Sequence, residues 1–262
     1  MAVAGADRMN TGNGVGSTDW TMRTGGHLGP AEKRRLVAYL ARVHLTNAVG
    51  RLSVVAHLNP GRNAYVAPAR LIPPDSALTR AASDAAHRIL PTPLLQHSHR
   101  TYQFGRALGE LENIEVDTEL LYTAALLHDT GLVTASGLDD FTLASARLAR
   151  DVAEQVGLST AATKTLQTAI TMHHSPRVTL AAGPVAYLLA AGAGLDVTGL
   201  RCWKLPRATL ADTLRVHPRD EFTALFARAW ALEAARVPQG RARLLRRYGA
   251  FTVAIRRAPF DD

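Results

Sequence analysis

From Pro30 onward the apolar residues recur at three- and four-residue intervals rather than in alternation. That spacing gathers them on one face of a helix, whereas a half-buried strand needs period two. Pro30, well suited to a first helical turn, opens a helix to about residue 49. Asp75 or Ser76 caps the next, which ends near Leu90, before Pro91 and Pro93. Further helices are predicted over 94–111, from Asp117 to Thr130-Gly131, and over 140–156, with Gly131 as a left-handed stop. Ser159 caps another, whose stripe is Ala162, Leu166, Ala169, Ile170 and His173. Val185, Leu188, Leu189, Gly192 and Asp196 form the stripe after that, in which Gly192 lets a neighbouring element come close. Shorter helices follow near 207–216, 219–236 and 240–248. Residues 1–29 are rich in Gly, Thr and Ala with little apolar periodicity, and read as a mobile leader. Residues 50–74 read as a loop with room for one short strand. The fold class is therefore all-α: one helical domain over 30–262 behind a leader of 1–29.

Composition narrows the function classes. One cysteine, Cys202, excludes a disulfide scaffold and a Cys-rich zinc module, and fits a cytoplasmic protein. The longest uncharged apolar stretch, 178–195, is rich in Ala and Gly and contains Pro184, so no membrane span is expected. There is no Gly-x-Ser-x-Gly elbow and no phosphate loop. The net charge of +8 raises polyanions as partners, but its distribution points elsewhere. Residues 1–96 carry 11 Lys and Arg against 5 Asp and Glu, residues 97–200 carry 6 against 11, and residues 201–262 carry 13 against 6. The acidic middle suits a cation site better than a nucleic-acid groove. Arginines of the basic flanks could fold over it to meet an anionic substrate, while Arg241, Arg243, Arg246 and Arg247 read as a solvated helix face.

Four polar features of that middle segment sit where burial is expected. His128-Asp129 ends an almost wholly apolar helix, Asp196 ends the Ala/Leu stripe, His173 lies on an apolar face, and His97 precedes Thr101, Phe104 and Leu108. A buried ionised Asp is costly unless something compensates it. Singly, each has an ordinary reading as a core histidine, a cap or a salt-bridge partner. Together they suit one divalent ion, because imidazole and carboxylate bind Zn²⁺, Mn²⁺, Fe²⁺ or Ni²⁺.

Four motifs run in order along the chain: His97-Ser98-His99-Arg100 with Tyr102 and Phe104-Gly105; Leu126-Leu127-His128-Asp129-Thr130-Gly131-Leu132; Ala169-Ile170 with His173; and Gly194-Leu195-Asp196-Val197-Thr198-Gly199. In these the chain resembles the HD-domain superfamily of helical metal-dependent hydrolases, and within it the cyanamide-hydratase-like branch. It departs from that branch at Thr142, where an acidic residue is common, and at Ser145, where Gly is common. The resemblance implies a metal-site core over about 94–200, in which His97, His128, Asp129 and Asp196 hold one divalent transition metal, zinc first, with iron, manganese and nickel as alternatives. It implies catalytic roles for Asp129 and His173, the latter as acid/base. Arg100 becomes the candidate to orient a carboxylate or phosphate. His174 points about 100° away from His173 on a helix, which favours a single ion over two. The expected function is a hydrolase or hydratase acting on a small molecule through metal-activated water. A nucleotide phosphohydrolase and a non-catalytic HD-fold ligand-binding or interaction module are the alternatives. Expected partners are a small-molecule substrate, no membrane and no nucleic acid, with a homo-oligomer left open.

Overall fold

The structure is a computed structural model and describes residues 14–260, so residues 1–13 of the expected leader lie outside them. Those residues form an all-α fold with no strand. Its helices are α1 (Thr18–Thr24), α2 (Pro30–Val55), α3 (Ala77–Ile89), α4 (Thr92–Leu111), α5 (Thr118–Leu127), α6 (Gly131–Thr134), α7 (Phe141–Gln155), α8 (Thr160–Met172), α9 (Pro184–Thr198), α10 (Arg207–Val216), α11 (Phe222–Arg236), α12 (Arg241–Tyr248) and α13 (Phe251–Arg256). The starts follow the caps read from the sequence. Ser76, Asp117, Asp140 and Ser159 each accept a hydrogen bond from a first-turn backbone N–H.

The centre of the bundle is α5, whose eight residues from Leu120 to Leu127 are all buried. Helices α3, α4, α7, α8 and α9 pack around it. The closest pair is α4 with α9. At their crossing Gly192 sits against the backbone of Thr101 and Gly105, where a Cβ would collide with the Thr101 carbonyl oxygen. Gly131 has a different role from the one its sequence suggests. It begins α6 rather than stopping α5 in a left-handed turn, and it is small because the Phe141 carbonyl lies where a Cβ would be.

Two boundaries differ from the sequence pattern. The expected leader is folded from residue 14: Ser17 caps α1, Trp20 and Leu28 are buried, and the Trp20 indole donates to Glu32 at 2.9 Å. A single large aromatic and a hydroxyl-rich helix dock this segment, so no repeating apolar stripe announces it. Helix α2 continues past Gly50 to Val55, and no strand follows. Gly50 is buried beneath the Trp203 ring, so this helix breaker is used for close packing with the α2 backbone unbroken.

Candidate metal centre

Two helix ends and one helix face meet on one point. His97 projects from the first half of α4, His128 is the C-cap of α5, and His173 is the C-cap of α8. His128 and His173 use the same local device. Each lets its Nδ1–H donate to the carbonyl three residues back, Ala125 and Ile170 respectively, both at 2.7 Å. His97 donates its Nδ1–H to Asp196 Oδ2 at 2.6 Å. With every Nδ1 proton spent outward, all three Nε2 atoms are left as lone-pair acceptors.

These acceptors converge on Asp129. His97 Nε2 and His128 Nε2 are 3.2 Å apart, and each lies 3.4 Å from Asp129 Oδ2. His173 Nε2 lies 3.4 Å from the other oxygen, Oδ1, which has no hydrogen-bond partner. All four residues are buried. Lone pairs and a carboxylate crowded this way repel one another unless positive charge lies among them. The C-terminal ends of α5 and α8, the negative poles of their dipoles, add to that demand. The triangle of His97, His128 and Asp129 also has the right size for an ion. Ligands held about 2.0–2.1 Å from a tetrahedral centre stand roughly 3.3–3.4 Å from one another. The residues present therefore fit a divalent transition metal.

The protonation balance agrees. Burial alone would raise the Asp129 pKa, yet the imidazoles of His128, His173 and His97 hold it well below the usual carboxylate range. Burial pushes His128 down to about 3. Burial also opposes charge on His97, but Asp129 and Asp196 on either side outweigh it and raise its pKa.

Asp196, expected as a ligand of the ion, and Arg100, expected to orient the substrate, are held together behind His97. Asp196 lies behind His97, on the Nδ1 side. Its carboxylate accepts from Arg100 Nε at 2.8 Å, Arg100 Nη2 at 3.0 Å and Arg219 Nη1 at 2.8 Å as well as from His97. Both Asp196 oxygens accept these bonds, which places the carboxylate to orient the His97 ring. Arg100 is wholly buried in this ion pair and donates onward to the Pro218 carbonyl at 2.6 Å, so it does not reach the substrate space. Arg219, which no sequence motif marked, completes the clamp; it precedes α11 and lies 23 residues beyond Asp196.

His174 is buried beside His173. It stacks on Phe141, with Asp140 Oδ2 3.5 Å from its Nε2, and burial lowers its pKa to about 4. Asp140 in turn is bound by Arg241, which is fully buried rather than part of a solvated basic face. Thr142 donates its hydroxyl to Asp140 and accepts from Arg241. Ser145 Oγ accepts from the Gly131 N–H at 2.8 Å. Both departures from the branch pattern are thus integrated structurally. Cys202 is buried.

Above the triangle lies a cavity of about 560 Å³. Its lining includes His97, His128, Asp129 and His173 at the floor, and α2, α9 and the segment after α8 at the walls. Residues 94–216 match the HD domain family model. The match runs from α4 to the end of α10, contains His97, His128, Asp129 and Asp196, and supports the HD-domain superfamily. HD domains bind divalent metals and are in general metal-dependent hydrolases, which agrees with the triangle. No curated protein matches the chain. Among the described residues no helix is long and apolar enough to cross a membrane.

Proposed function

We propose that this HD domain is a metal-dependent hydrolase or hydratase acting on a small organic molecule. The observation that carries the reading is the convergence of His97 Nε2, His128 Nε2 and Asp129 Oδ2, 3.2–3.4 Å apart, at the floor of the cavity. His97, His128 and Asp129 would hold a divalent ion there, which would supply Lewis acidity toward water and toward the bond to be broken. His97 and His128 present neutral nitrogens, and Asp129 supplies the negative charge. His173 is the acid/base group, since its Nε2 faces Asp129 Oδ1 and its ring lines the cavity. Asp196, with Arg100 and Arg219, keeps the His97 tautomer in place.

The walls favour an anionic substrate. Arg42, Arg177 and Arg201 line the cavity, and Asp129 is the one carboxylate residue lining it among the described residues. Two of the three arginines come from the basic flanks. Trp203 and Trp230 add flat apolar surface. A cationic wall beside aromatic faces suits a phosphate ester with a planar group, which keeps the nucleotide phosphohydrolase as the second reading. Placement in the cyanamide-hydratase-like branch rests on the sequence motifs.

A turnover panel on metal-loaded protein decides between the two. Phosphate release from nucleotides supports the phosphohydrolase, and ammonia or amide formation from nitriles and cyanamide supports the hydratase. No turnover in either set, with metal bound, supports the non-catalytic module and overturns the proposal.

A further inference from the structure

Helix α2 is 26 residues long, yet only Leu36, Leu40 and Gly50 along it are fully buried. Its inner side gives Tyr39, Val43 and Asn47 to the cavity wall. Between Arg34, Arg35, Arg42, His44 and Thr46, which are also exposed, its outer side carries an apolar stripe that no other described residue covers. Ala38, Ala41, Leu45, Ala48, Leu52 and Val55 are all exposed, and successive members are separated by three, four, three, four and three residues. That is the spacing of a coiled-coil seam. Val49 lies beside it, with Leu45 and Leu52 each 66% exposed and Val55 78% exposed. Monomeric proteins rarely leave so continuous an apolar face open.

We propose that this seam pairs with the same seam of a second copy, antiparallel, about a two-fold axis between Thr46 and Asn47. The argument is its self-complementarity. In that register Leu45 meets Ala48 of the other copy, Leu52 meets Ala41, and Val55 meets Ala38, so every large residue faces a small one. A parallel pairing stacks Leu on Leu and Ala on Ala, which alternates crowding with gaps. The face offers on the order of 600 Å² per copy, and two of them reach roughly the 1,200 Å² at which specific stable interfaces begin. Flanking charge does not oppose the pairing. Arg42 falls beside Val49 of the other copy, and Arg51 is turned onto its own body, donating to the Thr198 and Arg257 carbonyls. A membrane surface fits less well, because helices that lie on bilayers use large side chains on the apolar face, and half of this seam is alanine. Pairing would hold the α2 wall over the cavity.

The test uses the full chain in solution. Light scattering at tens of micromolar should give the mass of a dimer, and Leu45→Glu with Leu52→Glu should give a folded monomer of unchanged helical content. Both positions are exposed, so folding is not at stake. A mixture of Leu52→Cys and Ala41→Cys proteins should cross-link under mild oxidation, while neither alone should; Cys202 is buried and does not compete. A monomeric wild type overturns the proposal, as do a dimer indifferent to the two glutamates and cross-linking of either cysteine variant with itself. Sedimentation of the monomer with phosphatidylglycerol vesicles would overturn it in favour of a membrane.

Discussion

Replacing Asp196 by Asn tests the clamp behind His97. The change keeps the shape and removes one charge. In the native protein that charge is shared by Arg100 and Arg219, both buried, and by the His97 Nδ1–H. Two consequences follow. First, the two guanidinium groups lose the carboxylate they share, and breaking a buried pair costs about 3–5 kcal/mol. For a domain of this size about 1 kcal/mol moves the melting temperature by roughly 2–4 °C, so a drop of about 6–20 °C is expected. Second, if the new amide turns its NH₂ toward His97 Nδ1, that nitrogen must accept, and the ring proton moves to Nε2. The triangle then loses a ligand lone pair, and metal affinity should fall about 10- to 100-fold. Calorimetric melting and chelator competition measure the two effects separately. Asp196→Asn with an unchanged melting temperature and unchanged metal affinity would refute the reasoning.

Other consequences concern pH, packing and the ion. His99, His174 and His217 each have a pKa lowered to about 4, chiefly by burial. They are neutral when folded but take protons near pH 6.5 when unfolded, so between about pH 6.5 and 4 the unfolded state binds more protons and stability falls with pH. Urea midpoints at pH 7 and pH 5 check the sign; a midpoint that rises on acidification contradicts it. Asp140 and Asp196 have strongly lowered pKa values, each opposed by burial and held down first by its arginine, Arg241 or Arg100, so their contribution is present above about pH 4 and is lost below it. Gly192→Ala should destabilise by about 1–3 kcal/mol through overpacking against Thr101, and chemical denaturation that shows no loss would remove the α4–α9 contact from the account. Chelation of bound metal should lower the melting temperature, since a ligand of the folded state stabilises it by mass action; a melt unmoved by chelator and by added Zn²⁺ speaks against the site.

The parts of the structure legible in sequence are those fixed locally. Ser76, Asp117, Asp140 and Ser159 mark helix starts because their side chains reach backbone donors two or three residues on. His97, His128-Asp129 and His173 stand out because each interrupts an apolar stripe. What the sequence hides depends on distant partners. Arg100 looks like a substrate group until Asp196 and the Pro218 carbonyl are seen to consume its donors. Arg219 and Arg241 look like two more basic residues in a basic flank, yet each is buried on a carboxylate more than 20 residues away. The folding of 14–29 rests on Trp20 and on hydroxyl contacts such as Thr18 with Thr171, which leave no periodic trace.

The central claim is that three buried side chains surround a cation. Elemental analysis of protein purified without a metal-binding tag tests it most directly. The account predicts about one divalent transition metal per chain, as a His₂Asp site with room for water or substrate would hold, and a large loss of that metal in Asp129→Asn. A wild-type protein that contains no such metal and fails to bind added Zn²⁺, Mn²⁺ or Fe²⁺ would contradict it.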